Sequence, residues 1–464
     1  MSKLSQKLRH HYPEFIYHDF HYYLNQNRDF IVNFRFSFGN KLSFTHQLTL
    51  TDVNPKHLSS QKKDLIDNLV FHLGLIESFS YWKLAASPLI KVDCGQLCDK
   101  QLAFWHSLLL DGMGEYFYVN DLDFTVSDFV HIQPSSRLSS TSLSAIKHHT
   151  GRHLAVNLGG GKDSAVMLSL LTHSPETFSH LIVQPASPAT TALALSNKRP
   201  THLIHRQFDP QLRQLNRQSF LNGHVPFSAS LAFINLLAGV LYDFDYALVG
   251  NESSSDECSL HWHDRPINHQ FSKSTKFEQD FITYSRQFII NNVHYFSFLR
   301  VFNELQIAQI FCSNPEYFSL IKSCNRHQQQ GDWCHHCPKC LFVFLLFSAF
   351  LPPHIVSSHI FSHNLFADHS LLPTLQQLLG LAPTKPLECV GTIHDSQAAF
   401  YLALLQYQKA ETSLPPLLSH LRSAVLSQRN NWSTFTTQLL TQFYPHHSLP
   451  DWALSLIKKQ FSFS

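Results

Sequence analysis

The amino-acid sequence predicts an α/β protein whose parallel sheet carries helices on both faces. The main observation is a regular alternation of short apolar strands and helices between residues 153 and 249. A second is the alternation of aromatic or β-branched residues with polar ones over residues 14–50, which predicts an antiparallel sheet near the start of the chain. A third is a glycine loop that joins the first strand of the alternating region to its helix.

The composition is that of a folded and nearly neutral protein. The 464 residues include 35 lysines and arginines and 33 aspartates and glutamates, which gives a formal net charge of +2, and 44% of the residues are hydrophobic. This hydrophobic content excludes global disorder, and the missing basic excess disfavours nucleic acid as a partner. Much of the polarity comes from 32 histidines, so the net charge depends on pH. We expect most of these histidines to lie on the surface.

No segment of the sequence has the pattern of a membrane span or a secretory signal. The longest uncharged apolar run in the C-terminal half, at residues 341–351, is about half the ~20 residues that a helix needs to cross a bilayer. The first fifteen residues carry positive charge without an apolar block behind it. We therefore expect a cytoplasmic protein without a membrane partner, in which thiols stay reduced.

The N-terminal region is expected to combine an antiparallel sheet with helices. Turn signals at residues 25–27 and 39–40 separate three strand-like runs. Apolar residues then recur with helical spacing over residues 64–86 and 100–111. A serine-rich stretch at residues 134–144 lacks this periodicity and is predicted to be a linker.

The central region has the pattern of a parallel sheet with crossover helices. The predicted strands are 153–158, 180–184, 201–207 and 245–249, and the predicted helices are 164–173, 190–197 and 228–242. After the two prolines at residues 352–353 the chain is mostly helical in pattern. These shifts in pattern divide the chain into a β-rich α+β domain, a nucleotide-binding domain with a cysteine knuckle, and a helical region. Their predicted bounds are residues 1–145, 146–350 and 351–464.

The glycine loop follows the first strand of the central region. The segment from Leu158 to Ser164 reads Leu-Gly-Gly-Gly-Lys-Asp-Ser and leads directly into an apolar helix. Glycines let backbone N–H groups approach an anion, and a helix N-terminus adds partial positive charge, so this arrangement is typical of phosphate binding. The spacing fits neither a Walker A loop nor the dinucleotide fingerprint, and a tight turn with an N-cap is the structural alternative. The candidate phosphate-binding residues are Gly159, Gly160, Gly161, Lys162, Asp163 and Ser164.

Other polar residues are expected at the carboxyl edge of the predicted sheet, where ligands bind in open parallel sheets. Glu252 and Asp256 follow the strand that ends at residue 249, and their carboxylates suit Mg²⁺ binding or proton transfer. His224 precedes a buried helix, and His269 and Lys273 stand at the start of another. Lys273 can neutralise phosphate or carboxylate charge. The structural alternatives are a solvated acidic loop, ordinary histidines and a polar helix N-terminus.

Four of the nine cysteines form a compact cluster with the spacing C-x9-C-x2-C-x2-C, which suits tetrahedral Zn²⁺. Four thiolates favour a closed, structural site, although a nearby histidine can replace one ligand and an iron–sulfur cluster also accepts four thiolates. The candidate ligands are Cys324, Cys334, Cys337 and Cys340, and the nearby histidines are His327, His335 and His336. A buried role is expected for the remaining cysteines, although Cys258 lies near the predicted active edge of the sheet; they are Cys94, Cys98, Cys258, Cys312 and Cys389.

The glycine loop resembles the PP-loop, Ser-Gly-Gly-x-Asp-Ser, of ATP pyrophosphatases, although Gly159 stands where that family usually has its first serine. A PP-loop followed by a cysteine knuckle resembles the cyano-deazaguanine synthases, whose chains have about half this length. A closer similarity is to the bacterial UDP-N-acetylmuramoyl-L-alanyl-L-glutamate epimerase family. It rests on GMGEYFY (112–118), LGGGKDS (158–164), NGHVPF (222–227), GNES (250–253), NHQFSKS (268–274), the cysteine knuckle and ECVG (388–391).

This resemblance implies a PP-loop ATP-pyrophosphatase-like fold and an ATP-dependent inversion of the terminal L-glutamate of UDP-MurNAc-L-Ala-L-Glu for peptidoglycan synthesis. The loop would hold ATP and Mg²⁺, and adenylation of the glutamate carboxylate would make its α-proton removable by a base. The candidate bases are Glu252, Asp256, His224 and His269. Two alternatives stay open: a PP-loop enzyme that modifies a purine, deazapurine or tRNA base, and a non-catalytic nucleotide sensor. The sequence leaves the oligomeric state open.

Overall fold

A computed structural model describes residues 1–135, 152–172 and 174–461 of the chain. The strands are β1 (Glu14–Leu24), β2 (Phe30–Phe38), β3 (Leu42–Leu50), β4 (Leu89–Val92), β5 (His131–Pro134), β6 (His153–Asn157), β7 (Thr177–Gln184), β8 (Thr201–Gln207), β9 (Tyr246–Val249), β10 (Leu260–Trp262), β11 (Arg265–Ile267) and β12 (His294–Ser297). The helices are α1 (Lys3–His11), α2 (Lys63–Trp82), α3 (Asp99–Gly112), α4 (Gly114–Val119), α5 (Lys162–Thr172), α6 (Pro188–Asn197), α7 (Pro210–Leu215), α8 (Phe227–Tyr242), α9 (Thr275–Phe288), α10 (Glu304–Cys312), α11 (Pro338–Ser348), α12 (Pro353–Ile355), α13 (Leu372–Leu378), α14 (Ile393–Lys409), α15 (Pro416–Leu426), α16 (Trp432–Thr441) and α17 (Asp451–Gln460).

The elements that residue patterns predict are present, with ends shifted by a few residues. The three aromatic-rich runs near the start form β1, β2 and β3, and the helical patterns that follow form α2 and α3. The alternation predicted for the central region is confirmed as β6, α5, β7, α6, β8, α8 and β9. The sequence does not predict β4, β5 and β12, which have four residues each and lie outside residues 153–249, where the regular alternation of strands and helices predicts the equally short β9.

Ten of the described strands form one sheet in the order β12-β9-β6-β7-β8-β3-β2-β1-β4-β5, and β10 and β11 form a separate hairpin. The sheet is mostly parallel: only the β8-β3, β3-β2 and β2-β1 pairs are antiparallel. The predicted α/β class is therefore confirmed.

The first strand of the central region, β6, lies in the middle of the parallel run β12-β9-β6-β7-β8. The chain forms β6, moves outward through β7 to β8, and then returns to the other side of β6 to form β9 and β12. Neighbouring strands β6 and β9 therefore send their following loops in opposite directions. In open α/β sheets, ligands bind beyond the carboxyl ends of the strands at such a reversal. The glycine loop follows β6, so it lies at this position.

The antiparallel N-terminal strands continue the same sheet, because β3 pairs with β8 from Gln47 opposite Gln207 to Leu50 opposite Ile204. A buried ion cluster reinforces this junction: Glu77 on α2 accepts two hydrogen bonds from the Arg206 Nε at 2.9 and 3.0 Å and one from its Nη2 at 2.6 Å. The predicted linker at residues 134–144 lies outside the described residues except for its first two. The predicted three-domain division stays a prediction.

Two hydrophobic cores lie on opposite faces of the sheet. Leu154 and Val156 of β6 point into one core with α5, α10, α11 and α14, while Ala155 between them points into the other with α2 and α8. This alternation follows from the pleat of a strand. Helix α2 is buried along nearly its whole length because it packs against both α8 and the N-terminal strands. None of the helices described has the length and apolar character needed to span a bilayer.

The expectation that most histidines lie on the surface does not hold for two of them, which are buried in the N-terminal core. The His46 side chain is fully buried, and its Nε2 lies 3.3 Å from a carboxylate oxygen of Glu77. The Nδ1 of His72 lies 2.8 Å from the Asn68 carbonyl oxygen, and its Nε2 lies 2.8 Å from the hydroxyl of Tyr284. Burial lowers the pKa of His46 and of His72 to about 4. Both imidazoles are therefore neutral at physiological pH.

Acidification is expected to destabilise the fold through these two histidines. Above pH 6.5, the ordinary pKa of histidine, both are neutral in the folded and in the unfolded chain. Between pH 6.5 and pH 4 the unfolded chain binds protons that the folded chain does not, so the free energy of unfolding falls as the pH falls. The expected loss is on the order of 2 kcal/mol per histidine at about pH 5, measured by urea unfolding.

A matched pair of variants separates this effect from general acid sensitivity. His72→Gln is expected to remove its share of the pH dependence, because glutamine does not titrate. His131→Gln, at an exposed position of β5, is expected to retain the full dependence. Equal pH dependence in the wild type and in His72→Gln would contradict the role assigned to burial.

Candidate active site

A cavity of about 1050 Å³ opens at the carboxyl ends of the parallel strands, next to the β6–β9 reversal. Its wall combines the glycine loop, the end of β9 and the short 3-10 turn Phe271–Lys273. The structure thus brings several of the predicted site residues to one place. Polar and loop residues in the wall include Gly159, Asp163, Ser164, Asn251 and Lys273.

The start of the glycine loop is anchored by two buried asparagines. The Nδ2 of Asn157 donates to the Oδ1 of Asn235 at 2.9 Å and to the carbonyl oxygen of Leu248 at 2.9 Å. The Nδ2 of Asn235 donates back to the Oδ1 of Asn157 at 3.2 Å. Because Asn235 belongs to α8 and Leu248 to β9, these bonds fix the end of β6 relative to both elements.

The backbone conformation of the loop requires glycine at position 160. Gly160 has a φ of +77°, and a Cβ added there would lie 2.7 Å from the backbone nitrogen of Thr190. The N–H of Gly159 donates to the Oγ of Ser164 at 2.9 Å, which closes the loop onto the first turn of α5. Ser164 thus stabilises the loop, as an N-terminal serine of a helix often does.

The segment that precedes the cysteine knuckle also contacts the glycine loop. The N–H of Lys322 donates to the carbonyl oxygen of Gly160 at 3.0 Å. The N–H of Lys162 donates to the Oγ of Ser323 at 3.3 Å, and a Cβ added at Gly161 would lie 2.8 Å from that oxygen. The loop is therefore held between the sheet and the knuckle.

The ammonium group of Lys162 lies beneath the loop. Its side chain is fully buried, and it contacts the carboxylates of Asp163 and Glu304. Burial alone would lower the pKa of Lys162, but the carboxylates of Asp163, Glu304 and Glu252 outweigh burial and raise it. Glu304 is also 3.7 Å from the ammonium of Lys339 on α11. Lys162 therefore stays charged and neutralises buried carboxylates.

Glu252 is suited to proton transfer near neutral pH. Its side chain is 3% exposed, and burial together with the carboxylates of Glu304 and Asp163 raises its pKa to about 7. The ammonium groups of Lys273 and Lys162 act in the opposite direction. A carboxyl group with such a pKa is populated in both protonation states, which a general acid or base requires.

A buried arginine holds Glu252 and Lys273 in a fixed relation. The Nη1 of Arg300 donates to the carbonyl oxygen of Glu252 at 2.6 Å and to the Oγ of Ser255 at 3.0 Å. Its Nη2 donates to the carbonyl oxygen of Lys273 and, at 3.2 Å, to Glu278. One guanidinium group thus joins the backbone after β9 to the 3-10 turn that carries Lys273.

Asp256 occupies a different environment from the other candidates. It is exposed, and its carboxylate accepts hydrogen bonds from the N–H of Thr275 at 2.6 Å and from the hydroxyl of Thr275 at 2.7 Å. The hydroxyl of Tyr444 donates to it at 3.0 Å. These contacts stabilise the start of α9. Asp256 does not line the cavity, and neither do Glu252, His224, His269 and Cys389; of the candidate acid/base and charge-neutralising residues, only Lys273 does.

His224 and His269 lie together and carry different charges. Their ring centroids are 4.5 Å apart, and the Nδ1 of His269 contacts the carboxylate of Glu115. Burial and the neighbouring His269 lower the pKa of His224 to about 4. Burial would also lower the pKa of His269, but hydrogen bonds with Cys389 and Glu115 raise it to about 9. At neutral pH His269 is therefore the charged partner.

Cys389 connects this group to Lys273, whose side chain lines the cavity. It lies in the loop before α14, is half-buried, and its Sγ is 3.5 Å from the ammonium of Lys273. Burial would raise the pKa of the Cys389 thiol, but Lys273 and His269 lower it to about 6. Residue patterns predict neither Cys389, Glu115 nor Glu304 as site residues. For Cys389 and Glu115 a signal existed, because ECVG and GMGEYFY are among the segments that carry the family resemblance.

The four predicted metal ligands converge in a buried cluster beside the loop. Their Sγ atoms lie within 4.8 Å of one another, with 3.5 Å between Cys337 and Cys340 and 3.8 Å between Cys334 and Cys340. A tetrahedral zinc with Zn–S bonds of ~2.3 Å would separate its sulfurs by ~3.8 Å. Backbone N–H groups of Cys334 and Cys337 donate to the sulfurs of Cys324 and Cys334 at 3.4 and 3.3 Å. The cluster is thus able to bind a structural metal such as zinc.

The expectation that the other cysteines are buried is wrong for Cys98 and is met only in part by the remaining four. Cys98 is exposed, and Cys94, Cys258, Cys312 and Cys389 are partly exposed. The reason for Cys98 is local: it precedes α3 as the N-cap residue, a position that faces solvent.

Comparison with known proteins identifies relatives over most of the chain. Residues 6–298 match the MurL N-terminal domain and residues 320–434 match the MurL C-terminal domain. Three relatives carry the name UDP-N-acetyl-alpha-D-muramoyl-L-alanyl-L-glutamate epimerase. They come from a Micromonospora species (31% identity; 83% of this chain and 84% of the relative), Xanthomonas oryzae pv. oryzae (33%; 70% and 72%) and Salinispora tropica (32%; 79% and 78%). No solved structure matches the chain.

Replacing Gly160 by alanine is expected to destabilise the protein by about 2 kcal/mol, because alanine is strained at this φ and its Cβ meets Thr190. The matched control is Gly159→Ala, where the nearest atom to an added Cβ is the Ser164 Oγ at 3.9 Å. We expect that variant to change stability by less than about 0.5 kcal/mol. Urea unfolding of both variants checks this, and equal stability losses would contradict the geometry of the loop.

Removal of one knuckle thiolate is expected to release the metal and destabilise the fold. Elemental analysis of the purified wild type should give about one zinc per chain. Cys337→Ser should lose that metal and reduce the yield of folded protein, because its sulfur belongs to the buried cluster. Cys98→Ser, at an exposed position outside the cluster, should keep both. A metal-free Cys337→Ser chain with wild-type stability would refute the structural role.

Proposed function

This chain belongs to the MurL family, and we propose that it is an ATP-dependent epimerase that converts the terminal L-glutamate of UDP-MurNAc-L-Ala-L-Glu to D-glutamate. The observation that carries this proposal is the match to both MurL domains, together with three relatives that are named as this epimerase. The proposal places the enzyme, an isomerase, in cytoplasmic peptidoglycan synthesis. The formal net charge of +2 gives no support to a function that requires binding to nucleic acid.

The proposal includes a PP-loop-like ATP site formed by the glycine loop. Three features support it: the loop follows the central strand at the reversal of the sheet, its second glycine has a φ of +77°, and it borders a cavity of about 1050 Å³. The backbone of residues 159–161 and the start of α5 would bind the phosphates. The carboxylate of Asp163 in the cavity wall would hold Mg²⁺.

ATP supplies the activation that the epimerisation needs. An α-proton beside a carboxylate is very weakly acidic, because its removal places a second negative charge next to the first. Adenylation of the carboxylate, with loss of pyrophosphate, removes that charge and creates an activated carbonyl group. A base can then remove the proton, an acid returns a proton to the opposite face, and water releases AMP.

Lys273 and Glu252 are the residues that we assign to the reacting end of the substrate. The ammonium of Lys273 is charged, because Cys389, Glu252 and Asp163 raise its pKa against the effect of burial. It would bind the substrate carboxylate beside the loop. Glu252, whose pKa of about 7 suits proton transfer, would act as one acid/base group. His224 and His269 would border the same region, and zinc in the cysteine cluster would have a structural role.

The test is incubation with ATP, Mg²⁺ and UDP-MurNAc-L-Ala-L-Glu in heavy water, followed by chiral analysis of the glutamate. We expect D-glutamate with deuterium at the α-carbon, and AMP and pyrophosphate whose formation requires the substrate. ATP turnover without deuterium at that carbon would refute the epimerase function. AMP formation stimulated by tRNA or a deazapurine, and not by the dipeptide, would favour base modification instead.

Variants of the loop connect this activity to the proposed ATP site. Asp163→Asn and Ser164→Ala are expected to lower substrate-dependent pyrophosphate formation by roughly 10²-fold or more, since each removes a contact to ATP or Mg²⁺. Asp280→Asn, an exposed aspartate on α9, serves as the control and should retain the wild-type rate. Wild-type rates in both loop variants would place ATP elsewhere.

A further inference from the structure

We propose that Cys389 is an acid/base residue for the α-proton of the substrate, and that His269 and Glu115 hold it in position. Residue patterns suggest only a buried role for this cysteine, and the structure places it in a polar cluster next to the cavity. The inference rests on the proposed function, because it assigns one of the two groups that an inversion at carbon requires.

The first support is a row of three side chains, Cys389, His269 and Glu115. His269 forms side-chain hydrogen bonds with both Cys389 and Glu115, and its contact with Glu115 is made through Nδ1. A thiol next to an imidazole that is itself oriented by a carboxylate is an arrangement that keeps the thiol reactive. The three residues come from distant segments of the chain, the first turn of α4, the loop after β11 and the loop before α14, so the row exists only in the folded protein.

The second support is the position of the sulfur relative to the loop. The Sγ of Cys389 is 3.5 Å from the ammonium of Lys273, and Lys273 borders the same cavity as Gly159 and Asp163. A carboxylate bound by Lys273 therefore brings its α-carbon close to Cys389. Glu252 also interacts electrostatically with Lys273, so the thiol and the carboxyl group act on the same ammonium.

The third support is the charge around the sulfur. Lys273, His269 and Lys339 lower the pKa of the Cys389 thiol against the effect of burial. His224, neutral at physiological pH, and Glu115 lie behind His269, and Glu388 precedes Cys389 in the chain. Three cations against one sulfur keep it as a thiolate at neutral pH.

The proton transfers balance as follows. The thiolate of Cys389 removes the α-proton of the adenylated glutamate, so the C–H electron pair forms the enolate and an S–H bond forms. The protonated carboxyl group of Glu252 then gives its proton to the opposite face of the α-carbon and becomes a carboxylate. Water hydrolyses the mixed anhydride to the free carboxylate of UDP-MurNAc-L-Ala-D-Glu and AMP, and exchange with solvent returns Cys389 and Glu252 to their starting states. A thiolate on one face of the bound α-carbon and a protonated carboxyl group on the other are complementary starting states for an inversion.

The decisive experiment compares two partial reactions in Cys389→Ser and Cys389→Ala. Substrate-dependent exchange of pyrophosphate into ATP reports adenylation, and deuterium entry at the α-carbon reports proton transfer. We expect exchange to continue, while deuterium entry falls by about 10²–10⁴-fold. Cys98→Ser, an exposed cysteine away from the cavity, should match the wild type in both reactions.

Three results would overturn the assignment. They are wild-type deuterium entry in both Cys389 variants, loss of pyrophosphate exchange in both variants when their thermal unfolding is unchanged, and a hydroxylamine-sensitive acyl adduct on the peptide that contains Cys389. The last result would make the thiol a nucleophile rather than a base. A wild-type chain that shows no substrate-dependent exchange would instead refute the proposed function.

A second measurement tests the thiolate and its positioning residues without any turnover. The rate of alkylation of Cys389 by iodoacetamide in the zinc-loaded protein, read by peptide mass spectrometry against pH, should have its midpoint near the pKa of about 6. Glu115→Gln should raise that midpoint by about one unit, because His269 then loses the carboxylate that keeps it charged. Cys98 in the same samples is the internal reference. A midpoint in the ordinary range of a free thiol, or one that Glu115→Gln leaves unchanged, would contradict the arrangement.

Discussion

The ion pair between Lys162 and Glu304 is the interaction on which the centre of the protein depends. Lys162 begins α5, Glu304 begins α10, and Glu304 lies 3.7 Å from Lys339 in the knuckle helix α11. These groups are almost completely buried, and a buried charge without its partner destabilises a protein by several kcal/mol. The loop, α10 and the knuckle must therefore fold together. The pairing of these buried charges therefore fixes the position of the glycine loop, in addition to the backbone conformation that its glycines allow.

The parts of this structure that sequence predicts are those that short-range physics determines. The alternation of residues in β1 to β3, the helical spacing of α2 and the glycine loop after β6 depend on neighbours a few residues apart, and all are present. The cysteine spacing also predicts its cluster, because the four ligands lie within 17 consecutive residues, 324–340. The pairing of β3 with β8 is different: it joins residues about 160 positions apart, and nothing in either strand encodes the other.

The same distinction applies to the site. Asp163 and Lys273 are predicted from local motifs and reach the cavity, whereas Asp256, in an equally polar motif, is engaged by Thr275 and Tyr444. Only the fold decides between these outcomes. Low overall charge also has a consequence here, since several of the few ionic groups are concentrated in the interior around the loop. Their mutual interactions, and not their types alone, produce an acid with a pKa of about 7 and a thiol with a pKa of about 6, both of which interact with Lys273.

The antiparallel strands that lengthen the sheet also protect it. Without β3, strand β8 would be an open edge of seven residues, with a row of unpaired backbone groups available to another chain. Among the described strands, the edges of the extended sheet are instead β12 and β5, each of four residues, and β5 ends in a proline. Such short edges offer a poor template for strand addition. The N-terminal strands thus cover the edge of the part of the sheet that carries the glycine loop, and this disfavours aggregation through that edge.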